Sequence, residues 1–149
     1  MDRLTLTPLE LEYLRSQRLG RLATVDGDGA PQNNPVGFFI NEATGQVLIG
    51  GFDLAKSRKF RNLNANPNVA FVVDDLASVN PWTPRGIEMR GRAEGLTDAE
   101  PPVPGFSREL ICITPEWIGS WGLEPGSSYR MQIRRAPRDL PASGGWSRM

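Results

Sequence analysis

A short basic cluster is the part of this sequence best suited to chemistry. Residues 56–61, Lys-Ser-Arg-Lys-Phe-Arg, hold four cations in six positions and include both lysines of the 149-residue chain. No aspartate or glutamate occurs between Leu54 and Val73, so this stretch offers the cations no acidic partner. This basic cluster has the composition of an anion-binding site; the alternative interpretation is a solvated basic helix face.

The element that carries the basic cluster favours the anion-binding interpretation. The spacing of Phe60 and Leu63 predicts a short helix over 57–65 with both side chains inward, and Asn66-Pro67 ends it. Cations in a first helical turn oppose the helix dipole and cost about 0.3–1 kcal/mol each. A phosphate there would be favoured by free N–H groups, the Ser57 hydroxyl and the basic side chains. The pattern therefore predicts a phosphate site at this helix start.

Two glycines precede the basic cluster. Gly50-Gly51 follows the predicted third strand, and the lack of side chains lets a flat ring approach the backbone closely. A simple turn is the alternative. The order strand, Gly-Gly, basic helix predicts a combined site for a ring and its phosphate.

The rest of the composition narrows the chemistry. The chain has no histidine and a single cysteine, Cys112, which excludes Ser-His-Asp and Cys-His mechanisms, the common zinc sites and histidine-ligated haem. Any reaction is therefore expected to use a bound cofactor. The formal net charge is zero, and Phe60 is the only aromatic residue in the basic cluster, so a nucleic-acid module fits worst.

The pattern along the chain predicts one domain over 1–149. Thr7, Pro8 and Glu10 form a capping-box pattern that starts a helix within residues 1–18. Strands are expected over 19–25, 32–40, 46–50, 69–73, 86–94 and 110–114, the last resuming at 118–121, with a further short strand over 129–134. Loops are expected at 74–84 and 97–105, and a frayed tail at 136–149. About six strands and two short helices indicate a small antiparallel barrel.

No segment has the pattern of a secretion signal or a membrane helix, so a cytoplasmic protein is expected.

The segment 56–67 resembles the split β-barrel flavoproteins related to pyridoxamine 5′-phosphate oxidase. The segments 32–36 (Gln-Asn-Asn-Pro-Val) and 86–93 (Gly-Ile-Glu-Met-Arg-Gly-Arg-Ala) are similar too, and the resemblance covers about residues 7–121. Lys59-x-Arg61-Asn62-Leu63 and the segment 113–122 look closer to the deazaflavin branch, which uses coenzyme F420. Within that branch they resemble a subgroup that includes a terminal reductase of tetracycline biosynthesis.

The resemblance implies a homodimer with the cofactor in a groove between subunits. It also implies that the phosphate is held at the helix start and that two strands line the ring, with Asn62 as a polar helper. The implied cofactor-binding residues are Lys56, Ser57, Arg58, Lys59, Asn62, Ile49, Gly50, Gly51, Asn34, Pro35 and Val36.

The expected reaction is hydride transfer from reduced F420 to an electron-poor C=C bond of a small substrate. Trp82, Arg85 and Arg90 are candidate contacts for the substrate or the cofactor tail, with a loop anchor and solvated strand residues as their alternatives. Tyr129 is a candidate proton donor, and water is the alternative. Two other functions stay open: an FMN-dependent oxidoreductase of the same fold, and a non-enzymatic protein that binds a flavin, deazaflavin or haem-like ligand. No catalytic side chain and no metal ligand is predicted.

Overall fold

A computed structural model of the chain describes residues 4–126 and 130–137. These residues form two α-helices, one 3₁₀ helix and eight strands. The helices are α1 (Pro8–Arg15), the 3₁₀ helix (Leu54–Lys56) and α2 (Arg58–Ala65). The strands are β1 (Leu19–Val25), β2 (Pro31–Gly37), β3 (Phe39–Asn41), β4 (Gln46–Ile49), β5 (Asn68–Ser78), β6 (Thr83–Leu96), β7 (Leu110–Trp121) and β8 (Gln132–Arg135).

All eight strands belong to one curled antiparallel sheet, a half-barrel. Its order is β2-β1-β5-β6-β7-β4-β3, and β8 also pairs with β7. β7 pairs with β6 along its whole length, while its opposite edge is shared by two short strands. β4 pairs with residues 111–113 of β7, and β8 pairs with residues 117–120. The predicted mainly β, split-barrel fold is confirmed, with eight strands rather than about six.

The sheet core follows from alternation along the strands. On β6, Ile87, Met89 and Ala93 are buried while Arg90 and Arg92 are exposed, as the period-two pattern predicts. Facing side chains from β4, β5 and β7 complete the core, including Val47, Ile49, Phe71, Val73, Ile111, Ile113 and Ile118. A single continuous apolar layer therefore supports both helices.

Helix α1 starts as the sequence predicts. The Thr7 hydroxyl accepts from the Glu10 N–H, the Glu10 carboxylate accepts from the Thr7 N–H, and Pro8 occupies the first turn. The helix ends at Arg15 rather than Arg18, with Leu14 buried and Leu11 half-buried.

Three predicted strand boundaries are wrong. The predicted strand 32–40 breaks at Phe38 into β2 and β3, because the chain leaves the β1 pairing there and turns to pair with β4. β5 and β6 extend into the predicted loop 74–84, because their ladder continues past Asp75 to a bulge between Leu76 and Ser78. β7 runs unbroken through Pro115, since a bulge opposite Arg90 and Gly91 absorbs the proline.

Candidate functional site

The basic cluster lies at the start of α2, as predicted. Ser57 is the N-cap: its hydroxyl accepts from the Phe60 N–H at 3.3 Å and donates to the Leu54 carbonyl at 2.6 Å. The 3₁₀ helix over Leu54–Lys56, which the sequence pattern missed, brings the chain into this cap. The N–H groups of Arg58 and Lys59, which precede Phe60 in the first turn, have no carbonyl partner within the helix and could bind an anion.

The cations of the basic cluster differ from most others in the fold. Six arginines elsewhere form ion pairs with carboxylates, namely Arg15, Arg21, Arg85, Arg90, Arg108 and Arg134. Among residues 4–126 and 130–137, by contrast, no carboxylate pairs with any of the four cations of the basic cluster. Lys56, Arg58 and Arg61 are exposed, and Lys59 is half-buried. This concentration of uncompensated positive charge at a helix N-terminus favours an anion.

The Gly50-Gly51 turn is held by a distant loop. The Gly51 carbonyl accepts from the backbone N–H of Ser107 at 2.9 Å and from its hydroxyl at 3.1 Å. The same hydroxyl accepts from the Leu54 N–H at 3.1 Å. A side chain at Gly50 would place its Cβ 2.8 Å from the Phe106 ring. The space left open at Gly50 is therefore filled by Phe106, a contact that the sequence pattern did not indicate.

Asn62 connects α2 to β1 and β2. Its amide nitrogen donates to the hydroxyl of Thr24 at 3.0 Å and more weakly to the Gln32 side-chain oxygen at 3.4 Å. Asn62 and Thr24 are both buried. Only the side-chain oxygen of Asn62 is left for the cofactor contact that the family resemblance implies.

The β2 residues predicted at the ring site alternate between two faces. Asn34 shares the inner face with Gln32, which meets Asn62 of α2, whereas Pro35 lies on the exposed face. Val36 is buried in the core, as is Ile49 at the end of β4. Val36 and Ile49 can therefore meet a cofactor mainly through their backbone atoms, while Asn34 can offer its side chain.

Trp82 and Arg85 lie at the turn end of the β5–β6 hairpin, away from α2, whereas Arg90 lies in the middle of β6. Trp82 is exposed in the turn between β5 and β6, at the opposite end of β5 from α2. Arg85, near the base of this hairpin, makes two hydrogen bonds to Asp75. Arg90 makes two to Glu88 and stacks over the Trp117 ring at 3.8 Å. Because both arginines are neutralised, they are weaker anion ligands than the basic cluster.

Tyr13 joins α1 to this hairpin base. Its hydroxyl donates to Asp75 at 2.9 Å, and Arg85 lies over its ring at 5.1 Å. Burial and the hydrogen bond to Asp75 raise the pKa of the Tyr13 hydroxyl well above its ordinary value. The hydrogen bonds from Arg85 hold the pKa of the Asp75 carboxyl below its ordinary value, against the opposing effect of burial. Tyr13 therefore stays protonated and Asp75 stays charged near neutral pH.

Tyr129, the predicted proton donor, lies outside the described residues. Within those residues, no group of three or more Cys, Asp or Glu side chains is placed to hold a metal ion. None of the described helices is long and apolar enough to span a bilayer.

Residues 6–138 match the family model described as pyridoxamine 5′-phosphate oxidase. The chain belongs to this family. The match spans both helices, the basic cluster and all eight strands. It agrees with the resemblance drawn from the segments at 32–36, 56–67 and 86–93.

A curated relative of this chain comes from Streptomyces rimosus. It is a 5a,11a-dehydrotetracycline/5a,11a-dehydrooxytetracycline reductase, 41% identical over 143 residues, which cover 95% of this chain and 98% of the relative. A reductase at this level of identity supports oxidoreductase activity for the chain.

Solved structures share the fold at lower identity. A conserved hypothetical protein from Mycobacterium tuberculosis has a TM-score of 0.63 and 19% identity, covering 97% of this chain and 98% of its own. A FAD-binding protein from Mesorhizobium loti has a TM-score of 0.57 and 23% identity, covering 80% of this chain and 96% of its own. These similarities establish the architecture alone.

Proposed function

We propose that this protein is a coenzyme F420-dependent reductase that transfers hydride to an electron-poor C=C bond of a small, polycyclic, tetracycline-like substrate. The observation that carries the proposal is the basic cluster at the start of α2, whose four cations have no carboxylate partner within residues 4–126 and 130–137. The relative from Streptomyces rimosus, a reductase acting on dehydrotetracyclines, supports the choice of substrate class.

The residues at the start of α2 fit a phosphorylated cofactor. Arg58 and Lys59 would hold the phosphate together with the helix N–H groups, and Lys56 and Arg61 would add to the positive field. Ser57, already bound to Leu54 and Phe60, would mainly fix the helix start. The backbone of Ile49, Gly50 and Gly51 on one side, and the Asn34 side chain with the backbone of Pro35 and Val36 on the other, would border the ring. Asn62 would hold α2 against β1 and β2.

Reduced F420, when bound, supplies the hydride. The chain would bind and orient the cofactor and exclude water from the reacting atoms. We further propose a homodimer, in which a second copy of the half-barrel completes the cofactor groove. After hydride transfer, Tyr129 or water would donate a proton to the adjacent carbon of the substrate.

The FMN-dependent alternative shares the same phosphate site, and the family name and the FAD-binding fold relative favour a flavin-type ligand in general. A non-enzymatic carrier of either cofactor would also use this site. These functions differ in which cofactor is bound and in whether the bound cofactor reduces an acceptor. One set of titrations therefore separates them.

The deciding experiment titrates the purified protein with F420 and, separately, with FMN. The proposal expects quenching of F420 fluorescence, weaker binding of FMN, and oxidation of reduced F420 when 5a,11a-dehydrotetracycline is added. Tight FMN binding without F420 binding would support the flavin alternative. F420 binding without turnover of any acceptor would support the carrier.

Lys59→Ala tests the phosphate contact directly. Loss of one charged phosphate ligand is expected to weaken F420 binding by about tenfold or more. Arg18→Ala is the matched control, because Arg18 is an exposed cation between α1 and β1, outside the basic cluster. Equal effects of the two substitutions would indicate general electrostatics rather than a phosphate site.

A further inference from the structure

Phe52 is the most exposed large hydrophobic residue in the described part of the chain. It is 72% exposed, and it lies between the Gly50-Gly51 turn and the basic cluster. A single exposed phenylalanine is ordinary on a protein surface and needs no explanation by itself. Its support and its position distinguish Phe52 from other exposed apolar residues.

The support comes from the loop between β6 and β7. The rings of Phe52 and Phe106 meet edge to face, with centroids 4.9 Å apart at 82°. The backbone of Gly105 also lies against the Phe52 ring, since a Cβ at Gly105 would come within 3.5 Å of it. The Phe106 N–H donates to the Val103 carbonyl at 3.2 Å, which closes this turn.

The backbone on either side of Phe52 is fixed as well. Ser107 binds the Gly51 carbonyl and the Leu54 N–H, one position before Phe52 and two after it. An aromatic ring held on a fixed backbone loses little conformational freedom when a ligand covers it, which is the condition for an effective contact. Phe52 is therefore a preorganised aromatic surface beside the basic cluster.

We propose that Phe52, supported by Phe106, contacts the flat ring system of the acceptor substrate and sets a preference for planar polycyclic acceptors over small ones. This inference rests on the proposed reductase function. Phe52 follows the glycine turn assigned to the cofactor ring by one residue, so it extends that site toward solvent, where the acceptor must enter. The contact is apolar and aromatic, and it complements conjugated rings rather than isolated polar groups.

The test measures binding as well as turnover. Phe52→Ala is expected to weaken binding of 5a,11a-dehydrotetracycline in calorimetry by about tenfold, the size of a lost aromatic contact. It should raise KM for that acceptor by a similar factor, leave KM for cyclohexenone unchanged, and leave F420 affinity within about twofold. Phe52→Trp should restore the preference for the polycyclic acceptor. Phe39→Ala is the matched control, since Phe39 is a partly exposed phenylalanine on β3.

Several results would overturn the inference. The proposed contact is wrong if Phe52→Ala binds dehydrotetracycline as tightly as the unaltered protein does. It is also wrong if the unaltered protein does not bind dehydrotetracycline. Weakened F420 binding in Phe52→Ala would assign the ring to the cofactor instead, and a shift to lower mass would assign it to a subunit interface. If the unaltered protein binds dehydrotetracycline through Phe52 but binds and oxidises no F420, the proposed function fails while this contact stands.

Discussion

Asn62 is one of the few polar side chains that the fold buries. Its amide donates to Thr24, whose hydroxyl is fully buried, and this bond attaches the middle of α2 to β1. A buried polar group that loses its hydrogen-bond partner destabilises the fold, because folding has already removed the water that could replace that partner. The main role visible for Asn62 is therefore to hold the helix that carries the basic cluster.

Asn62→Ala is expected to lower the free energy of unfolding by about 1–3 kcal/mol, since Thr24 loses its donor. Chemical denaturation measures this loss. Asn64→Ala, at an exposed position of the same helix, should change the value by less than about 0.5 kcal/mol. If Asn62→Ala left stability intact and weakened only cofactor binding, Asn62 would act at the ligand.

The absence of a side chain at Gly50 lets the Phe106 ring pack closely against the backbone. Gly50→Val should displace the Phe106 ring, which lies 2.8 Å from the position of an added Cβ, at a cost of about 1–3 kcal/mol. Thermal unfolding and cofactor titration should both detect it. Gly37→Val is the control, because no described atom lies within 4 Å of a Cβ there. A Gly50 variant as stable as the Gly37 variant would contradict the tight packing.

At the scale of elements, α1 is held to β8 by one ion pair. Arg134 donates two hydrogen bonds to Glu10, at 2.7 and 2.8 Å, and Glu10 is only 2% exposed. Burial raises the pKa of the Glu10 carboxyl, but the hydrogen bonds and charge of Arg134, with Thr7, bring it below its ordinary value. The pair joins residues 124 positions apart, so it links the two ends of the described chain.

The two halves of this ion pair should respond differently to substitution. Arg134→Met should cost about 3 kcal/mol, because it leaves a buried carboxylate without its counterion. Glu10→Gln should cost less, because glutamine preserves the capping box and Arg134 is partly exposed to water. Denaturation at pH 7 compares the two, and a larger effect of Glu10→Gln would contradict this account.

Acid should remove the contribution of Glu10. Since its pKa is lower in the folded state, its charge stabilises the fold above the ordinary carboxyl value, about 4.3. That stabilisation is lost as pH falls through the lower, folded-state pKa. Melting temperatures between pH 7 and pH 3 should therefore fall less in Glu10→Gln than in the unaltered protein. Equal acid sensitivity would place the effect on other carboxylates, such as Asp75.

How much of the fold could be predicted also depends on the element. Local signals located α1, β1 and the start of α2, because capping residues, alternation and turn glycines act within a few positions. The junction at Phe38 and the course of β7 through Pro115 depend on which strands pair, and pairing is a long-range choice. The composition of the basic cluster indicated a candidate site, whereas Ser107 and Phe106 contact the neighbouring Gly50-Gly51 turn across more than 50 positions. No local pattern encodes such contacts.

At the scale of the whole molecule, the proposed cofactor groove requires the proposed dimer, because the groove lies between two subunits. One chain has a mass of 16.4 kDa, so sedimentation should show a species of twice that mass. Cofactor binding should then saturate at one F420 per chain. A 16.4 kDa species that binds F420 at full affinity would contradict an intersubunit site.

β7 completes its outer edge with two short strands drawn from distant parts of the chain, β4 and β8. A strand edge left bare presents unpaired N–H and C=O groups on which another molecule can build. A chain shortened before Gln132 would uncover residues 117–120 and also leave Glu10 without Arg134. We therefore expect β8 to protect this edge of β7 from pairing with other molecules, and its loss should appear first as concentration-dependent precipitation rather than as a change in chemistry.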